Sequence, residues 1–207
     1  MTHLVRPATE HLAAYEAALR QGWSPDILRV EAVRLEQLEA IAHDPAAFLA
    51  SLDDPEARGG PVTLPDGSQA ARLPGFRRWI WDAGFCGSIG FRWQPGTPAL
   101  PSHVIGHIGY AVVPWRRREG QATRALGLLL REVAPLGLPW VDVAVEPGNA
   151  ASIAVITANG GVLAERFTTG PEFGSRPGLR FRIGLPRPGP GSRDADAHAP
   201  GADSRPQ

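Results

Sequence analysis

The chain has 207 residues, 43% apolar and 20% charged, with a formal net charge of zero, the balance of a soluble globular protein with one well-filled core or at most two small ones. With no excess of either sign, no global field draws nucleic acid or an anionic membrane as partner. Cys86 is the only cysteine, which excludes an internal disulfide and a CxxC metal or redox site.

Every side-chain cation other than histidine is arginine, and Ala, Gly and Pro are abundant, a composition bias rather than a mechanism. The N-terminal "MTHLVRPATEHL" has no long apolar core of a secretory signal, and no stretch reaches the length that crosses a bilayer. A cytoplasmic location is expected.

In chain order, "THLVRPA" reads as a first short strand. Thr9 is placed to cap a helix running to Arg20, with Leu12, Tyr15 and Leu19 on one face and Gly22 as its stop. Ser24-Pro25 is expected to open a second helical region that buries Leu28, Leu35, Leu38 and Ile41, and "DPAAFLASL" to add a further turn or two. Residues 53–74 are turn-rich and read as a surface loop. "RRWIWDAGFCGSIGFRW" predicts an antiparallel hairpin about Asp82-Ala83-Gly84, with Cys86 a buried, inert thiol. Trp79 and Trp81 are expected in the core or on the wall of an acceptor site.

Residues 103–113 form the next predicted strand. A helix over about 121–134 follows, with Ala122, Ala125, Leu126, Leu129, Leu130 and Val133 at helical spacing and Pro135 closing it. "WVDVAVE" carries apolar residues on both parities, as a strand covered on both faces does. "NAASIAVITANGG" reads as a short helix, and "VLAERF" and "LRFRIGL" as closing strands. One α/β domain over 1–185 results, followed by a disordered Pro/Gly/Ala-rich tail over 186–207.

The chemistry concentrates at "WRRREGQAT". The first turn of a helix leaves amides unpaired and carries partial positive charge, and a Gly/Ala-bearing loop lets an anion approach it. Phosphate binding is the physical reading; a solvated arginine turn is the bland one. The stretch lacks the Gly-Lys-Ser/Thr ending of a P-loop and the G-x-G-x-x-G of a dinucleotide site, and the six histidines show no metal-ligand spacing.

Arg117-x-x-Gly120-x-Ala122 resembles the Arg/Gln-x-x-Gly-x-Gly/Ala pyrophosphate loop of the GNAT superfamily of N-acetyltransferases, here too between a strand and a helix. "VEPGNAASIAVITANGGVLAE" is similar to that superfamily's second motif. Its Asn149 and Ser152 stand at the Asn-x-x-Ser pair, and Asn159-Gly160-Gly161 where x-Gly-Phe ends the helix. "GHIGY", "GQATRAL" and "NGGVLAE" look most like a bacterial branch of predicted acetyltransferases and the ribosomal-protein N-terminal acetyltransferases. The specific resemblance covers about residues 105–165.

The resemblance implies the acyl-CoA N-acyltransferase fold, a mixed sheet with helices on both faces and a splayed parallel strand pair, here 103–113 and 139–146. It implies acetyl-CoA as cosubstrate and no metal. The pantetheine would pair with the main chain at Ala111 and Val113, and Val113 would supply an oxyanion donor. The pyrophosphate would rest on the amides of Arg118, Glu119, Gly120, Gln121, Ala122 and Thr123. Arg117 or Arg118 would add side-chain charge, and Asn149 and Ser152 complete the set. Glu119 departs from the pattern, so its carboxylate is expected to turn to solvent.

For the general base, His107 replaces the strand glutamate of related enzymes, and Glu146 is a second candidate base or amine anchor. Ile156 stands where many relatives carry a tyrosine acid, leaving Ser152 or water to protonate the thiolate. The acceptor would be a small-molecule amine or a peptide N-terminus, in a monomer or a homodimer. A catalytically silent acyl-CoA binder and an unrelated nucleotide-phosphate binder are the alternatives.

Overall fold

A computed structural model describes residues 1–186. Strand β1 (His3–Val5) leads into helices α1 (Thr9–Arg20), α2 (Val30–His43) and α3 (Pro45–Ser51). After three two-residue strands, β2 (Asp53–Asp54), β3 (Val62–Thr63) and β4 (Gln69–Ala70), come the long hairpin strands β5 (Gly75–Trp81) and β6 (Phe85–Arg92). The rest runs β7 (Ile108–Val112), α4 (Gln121–Val133), β8 (Trp140–Val145), α5 (Ala150–Ala158), β9 (Val162–Thr168) and β10 (Pro177–Gly184).

Apart from the small β3–β4 pair, the strands form two ladders, β1-β5-β6-β7 with β2 added beside β5, and β8-β10-β9, all antiparallel. The ladders meet where the His107 amide donates to the Asp142 carbonyl at 2.8 Å. Gly106 makes this approach possible, since a Cβ there would lie 3.0 Å from the Ala144 nitrogen and 3.2 Å from the Asp142 oxygen.

Alternation along β5 sends Ile80 and Trp79 to opposite faces, and two cores result. Ile80, Ile89 and Phe91 pack with Leu126 and Leu129 of α4 and with Val141, Val143 and Phe181. Trp79 and Phe85 pack on the other face with Tyr15 and Leu19 of α1, Ile41 of α2 and Phe48 of α3. Helices therefore cover both faces, as predicted, and Trp79, stacked on Tyr15 at 4.6 Å, is core rather than acceptor wall. Buried Arg78 shares the α4 face with Ile80, where its guanidinium meets Glu132 at 2.7 Å and Asp53 at 3.5 Å.

Three expectations need correction. Helix α2 begins at Val30, not Ser24, because the Asp26 carboxylate accepts from the amides of Leu28 (2.8 Å) and Arg29 (2.7 Å) and holds a turn instead. Leu28 and Leu35 are consequently exposed, while Ile41 is buried. The 53–74 region is not all loop: β2 extends the sheet, and β3 and β4 make a small hairpin. The strand expected over 103–113 is regular only from Ile108. The predicted tail falls, from residue 187 on, outside the described residues.

Candidate active site

Between β7 and α4 the chain makes one turn of 3-10 helix (Pro114–Arg116) and then two left-handed residues, Arg118 (φ 64) and Gly120 (φ 74). Gly120 is the N-cap of α4 and offers no side-chain cap. Its freedom is needed twice over, because a Cβ there would also come within 2.6 Å of Arg124 Nη1. The amides of Arg118, Glu119, Gly120, Gln121, Ala122 and Thr123 donate to no acceptor among the described residues; the next amide, Arg124, returns to the Gly120 carbonyl at 3.1 Å. Six consecutive donors thus lack an acceptor among the described residues at the positive end of a helix.

The side chains around them are sorted. Gln121 is buried and structural: it accepts from Thr2 Oγ1 at 2.7 Å and donates to Asp82 at 3.2 Å and Glu119 at 3.3 Å. Glu119 is not simply solvated, because Arg116 binds its carboxylate at 2.9 Å, and that hydrogen bond holds its pKa below the usual carboxylate range. Arg124 Nη2 donates to the Glu119 carbonyl at 2.6 Å and closes the loop. Arg117 Nε donates to the Val112 carbonyl at 3.2 Å. Arg118 makes no hydrogen bond or ion pair among the described residues and is exposed.

On β7 the register moves the expected main-chain contacts by one residue. The Val113 amide donates to the Cys86 carbonyl at 3.0 Å, and the alternation of an antiparallel ladder turns the polar groups of Ala111, opposite Ser88, the same way. Neither Ala111 nor Val113 offers its amide to a ligand, and Val113 is not an oxyanion donor. The amides of Tyr110 and Val112 face away from β6, toward the junction with β8.

The geometry of His107 suits a structural role. It is fully buried, its Nδ1 accepts from the Asp142 amide at 3.0 Å, and its Nε2 has no partner among the described residues. With Nδ1 committed as acceptor, the neutral ring carries its proton on Nε2 and presents no lone pair. Burial, partly opposed by Asp142, pushes its pKa below the usual 6.5. Together with its own amide bond to Asp142, His107 is a two-point clip between the ladders.

Glu146 follows β8, is exposed, and among the described residues has only Arg176 as a charged partner, at 3.7 Å. It lines a small recess with Ala144, Phe167, Phe173 and Arg176. Asn149 caps α5, its Oδ1 accepting the Ser152 amide at 3.0 Å. The Ser152 hydroxyl makes no hydrogen bond among the described residues, and its carbonyl accepts from the Tyr110 hydroxyl at 3.4 Å. Tyr110 thus places a phenol beside the first turn of α5; burial raises its pKa. Ile156, at the expected tyrosine position, is fully buried. Cys86 is buried too, and burial raises its pKa, as expected of an inert thiol.

On the α1–α3 side of the β7–β8 junction lies a cavity of about 370 Å³. Gly109, Tyr110, Ala144 and His103 line it together with Asp26, Arg77 and Arg92. Asp26, Arg77 and Arg92 are not among the site residues expected from the sequence.

The sequence profile of the Acetyltransferase (GNAT) domain family matches residues 28–162. Among curated proteins none matches the sequence. Solved structures of similar fold include RimL, a ribosomal L7/L12 alpha-N-protein acetyltransferase in complex with coenzyme A (14% identity, TM-score 0.59, 89% of this chain and 94% of that one). The microcin C7 self-immunity acetyltransferase MccE, in complex with acetyl-CoA and AMP, is similar at 11% identity and TM-score 0.55 over 89% of this chain and 92% of that one. RimJ of Mycobacterium smegmatis, in complex with CoA-disulfide, is similar at 17% identity and TM-score 0.56 over 88% and 81%. The architecture is the fold these acetyltransferases share.

Proposed function

Because the chain belongs to the GNAT acetyltransferase family, we propose that it moves the acetyl group of acetyl-CoA directly to a primary amine in a ternary complex. The acceptor is a small molecule, an amino acid or a peptide N-terminus. The observation that carries the reading is the run of six unpartnered amides from Arg118 to Thr123, a shape and charge suited to a diphosphate. Arg118 adds a free guanidinium, and Tyr110 and Val112 supply the main-chain edge for the pantetheine arm.

In the chemical step the neutral amine attacks the thioester carbonyl, the C–S bond breaks, and the ammonium proton must leave while the thiolate gains one. Glu146, directly or through water, takes the amine proton; His107 does not. The thiolate proton comes from Tyr110 or Ser152 at the start of α5. The similar structures bear names that span protein N-termini and a self-immunity substrate, which agrees with either acceptor class.

Two measurements on the full chain test this: titration with acetyl-CoA, and thiol release in the presence of an amine panel. Binding with turnover is expected, and Gly120→Val should weaken acetyl-CoA binding at least about tenfold by adding a side chain to a left-handed residue at the phosphate contact. Intact affinity in that variant would overturn the diphosphate assignment. Binding without turnover on any amine would instead favour a silent acyl-CoA binder, a reading supported by Ile156 at the usual tyrosine position.

A further inference from the structure

The cavity beside the β7–β8 junction has an unusual floor. Gly75, Gly90 and Gly109 lie on one face of three neighbouring strands, with Arg77 opposite Gly90, Arg92 opposite Gly75 and Gly90 opposite Gly109. A Cβ at Gly90 would sit 3.5 Å from Arg77 Cγ and 3.7 Å from its Nη1, and one at Gly109 3.7 Å from Arg92 Nη2. Two arginine side chains therefore lie along the sheet within van der Waals reach of glycine positions.

Two of the four arginines that line this cavity are neutralised. Arg29 pairs with Glu36, and Arg72 with Asp54 at 3.8 Å. Arg78, on the opposite face, pairs with Glu132 and Asp53. His103 Nε2 lies 2.9 Å from the Ala71 carbonyl oxygen. Arg77 and Arg92 are partly buried and have no carboxylate or hydrogen-bond partner among the described residues. The only lining carboxylate outside an ion pair is Asp26, which already accepts two amides through Oδ1. Two guanidinium groups thus face one engaged carboxylate.

The two cations also disfavour each other. Burial first, and the charge of Arg77 second, push the Arg92 pKa down to about 10, with Asp26 opposing; the group still carries its proton at neutral pH. An anion between them would relieve that repulsion and gain charge-assisted hydrogen bonds.

We propose that the acceptor amine carries a carboxylate or phosphate close to its nitrogen, and that Arg77 and Arg92 bind this anion on the glycine floor. Because Arg92 Nη2 reaches Gly109 and the same cavity includes Tyr110 and Ala144, anion and amine belong to one small group at the junction. The inference rests on the acetyl-transfer reading and specifies its acceptor.

The test is a matched acceptor panel with the full chain. Free amino acids are compared with their α-amides, O-phosphoserine with serine, and peptides beginning with Asp or Glu with the same peptides beginning with Asn or Gln. The anionic member of a pair should be preferred in kcat/KM by about tenfold or more. A preference confined to the free amines identifies a small-molecule acceptor, and one confined to the peptides an acidic N-terminus. Arg77→Gln and Arg92→Gln should raise KM for the anionic member and bring the ratio toward one, with thermal unfolding and acetyl-CoA affinity showing that the variants are folded. Arg77→Lys should keep part of the preference. Equal use of anionic and neutral acceptors, or a preference that survives both glutamine variants, would overturn the proposal. If no member turns over, titrating the same compounds into CoA-saturated protein reads the same ratio. Anion preference in binding without transfer would then remove the catalytic reading and leave the anion site standing.

Discussion

At the scale of single residues, His107 decides how the reactive centre is read. Its ring nitrogen accepts an amide from Asp142 and its own amide donates back to the same residue, so removing the ring strips a buried donor of its acceptor. His107→Ala should cost roughly 1–3 kcal/mol of stability. The pH sign follows from the lowered pKa. The unfolded chain binds a proton near pH 6.5 that the folded ring resists, so stability is full above that value and falls as pH drops below it. Urea unfolding at pH 7.5 and pH 5.5 should show this loss in the wild type and a smaller one in His107→Asn, whose side-chain oxygen can still accept the amide. A kcat that collapses in His107→Asn while the protein stays folded would return His107 to the role of base.

Whole elements were legible wherever a pattern was local. The two β-rich runs about Asp82-Ala83-Gly84 announce the β5–β6 hairpin, and the spacing of Ala125, Leu126, Leu129 and Val133 announces α4. What escaped depends on partners far along the chain. Nothing near His107 reveals Asp142 as its partner, nothing near Val113 reveals the register that commits its amide to Cys86, and Tyr110 reaches α5 only because β7 and α5 are brought together. Arg77 and Arg92 gain meaning only when the strand register sets them over glycines. One side-chain contact between elements is open to measurement. Arg78 is buried and joins β5 to Glu132 of α4 and to Asp53 of β2. Because Glu132 and Asp53 are each about a third exposed, Arg78→Ala should cost roughly 2–3 kcal/mol, below the range for a fully buried pair. Urea denaturation of the variant measures the loss, and an unchanged midpoint would show that the bridge contributes nothing.

At the scale of the whole molecule, two antiparallel ladders share a boundary at which the described main-chain contact is the His107–Asp142 clip. A ligand lodged along that boundary holds both ladders at once. Acetyl-CoA at about a hundred times its dissociation constant should add ~2.7 kcal/mol to stability, raising the unfolding temperature by roughly 5–10 °C for a chain of this size. Calorimetric scans with and without cosubstrate check this, and an unmoved transition at saturating cosubstrate would argue against the boundary as its seat. The arginines of the loop and of the cavity carry one last consequence. These 207 residues contain no lysine, so, histidine apart, each side-chain cation beside the proposed thioester is a guanidinium, which stays protonated and makes a poor nucleophile. Such a catalyst can keep a reactive acyl donor in its grip without spoiling its own side chains.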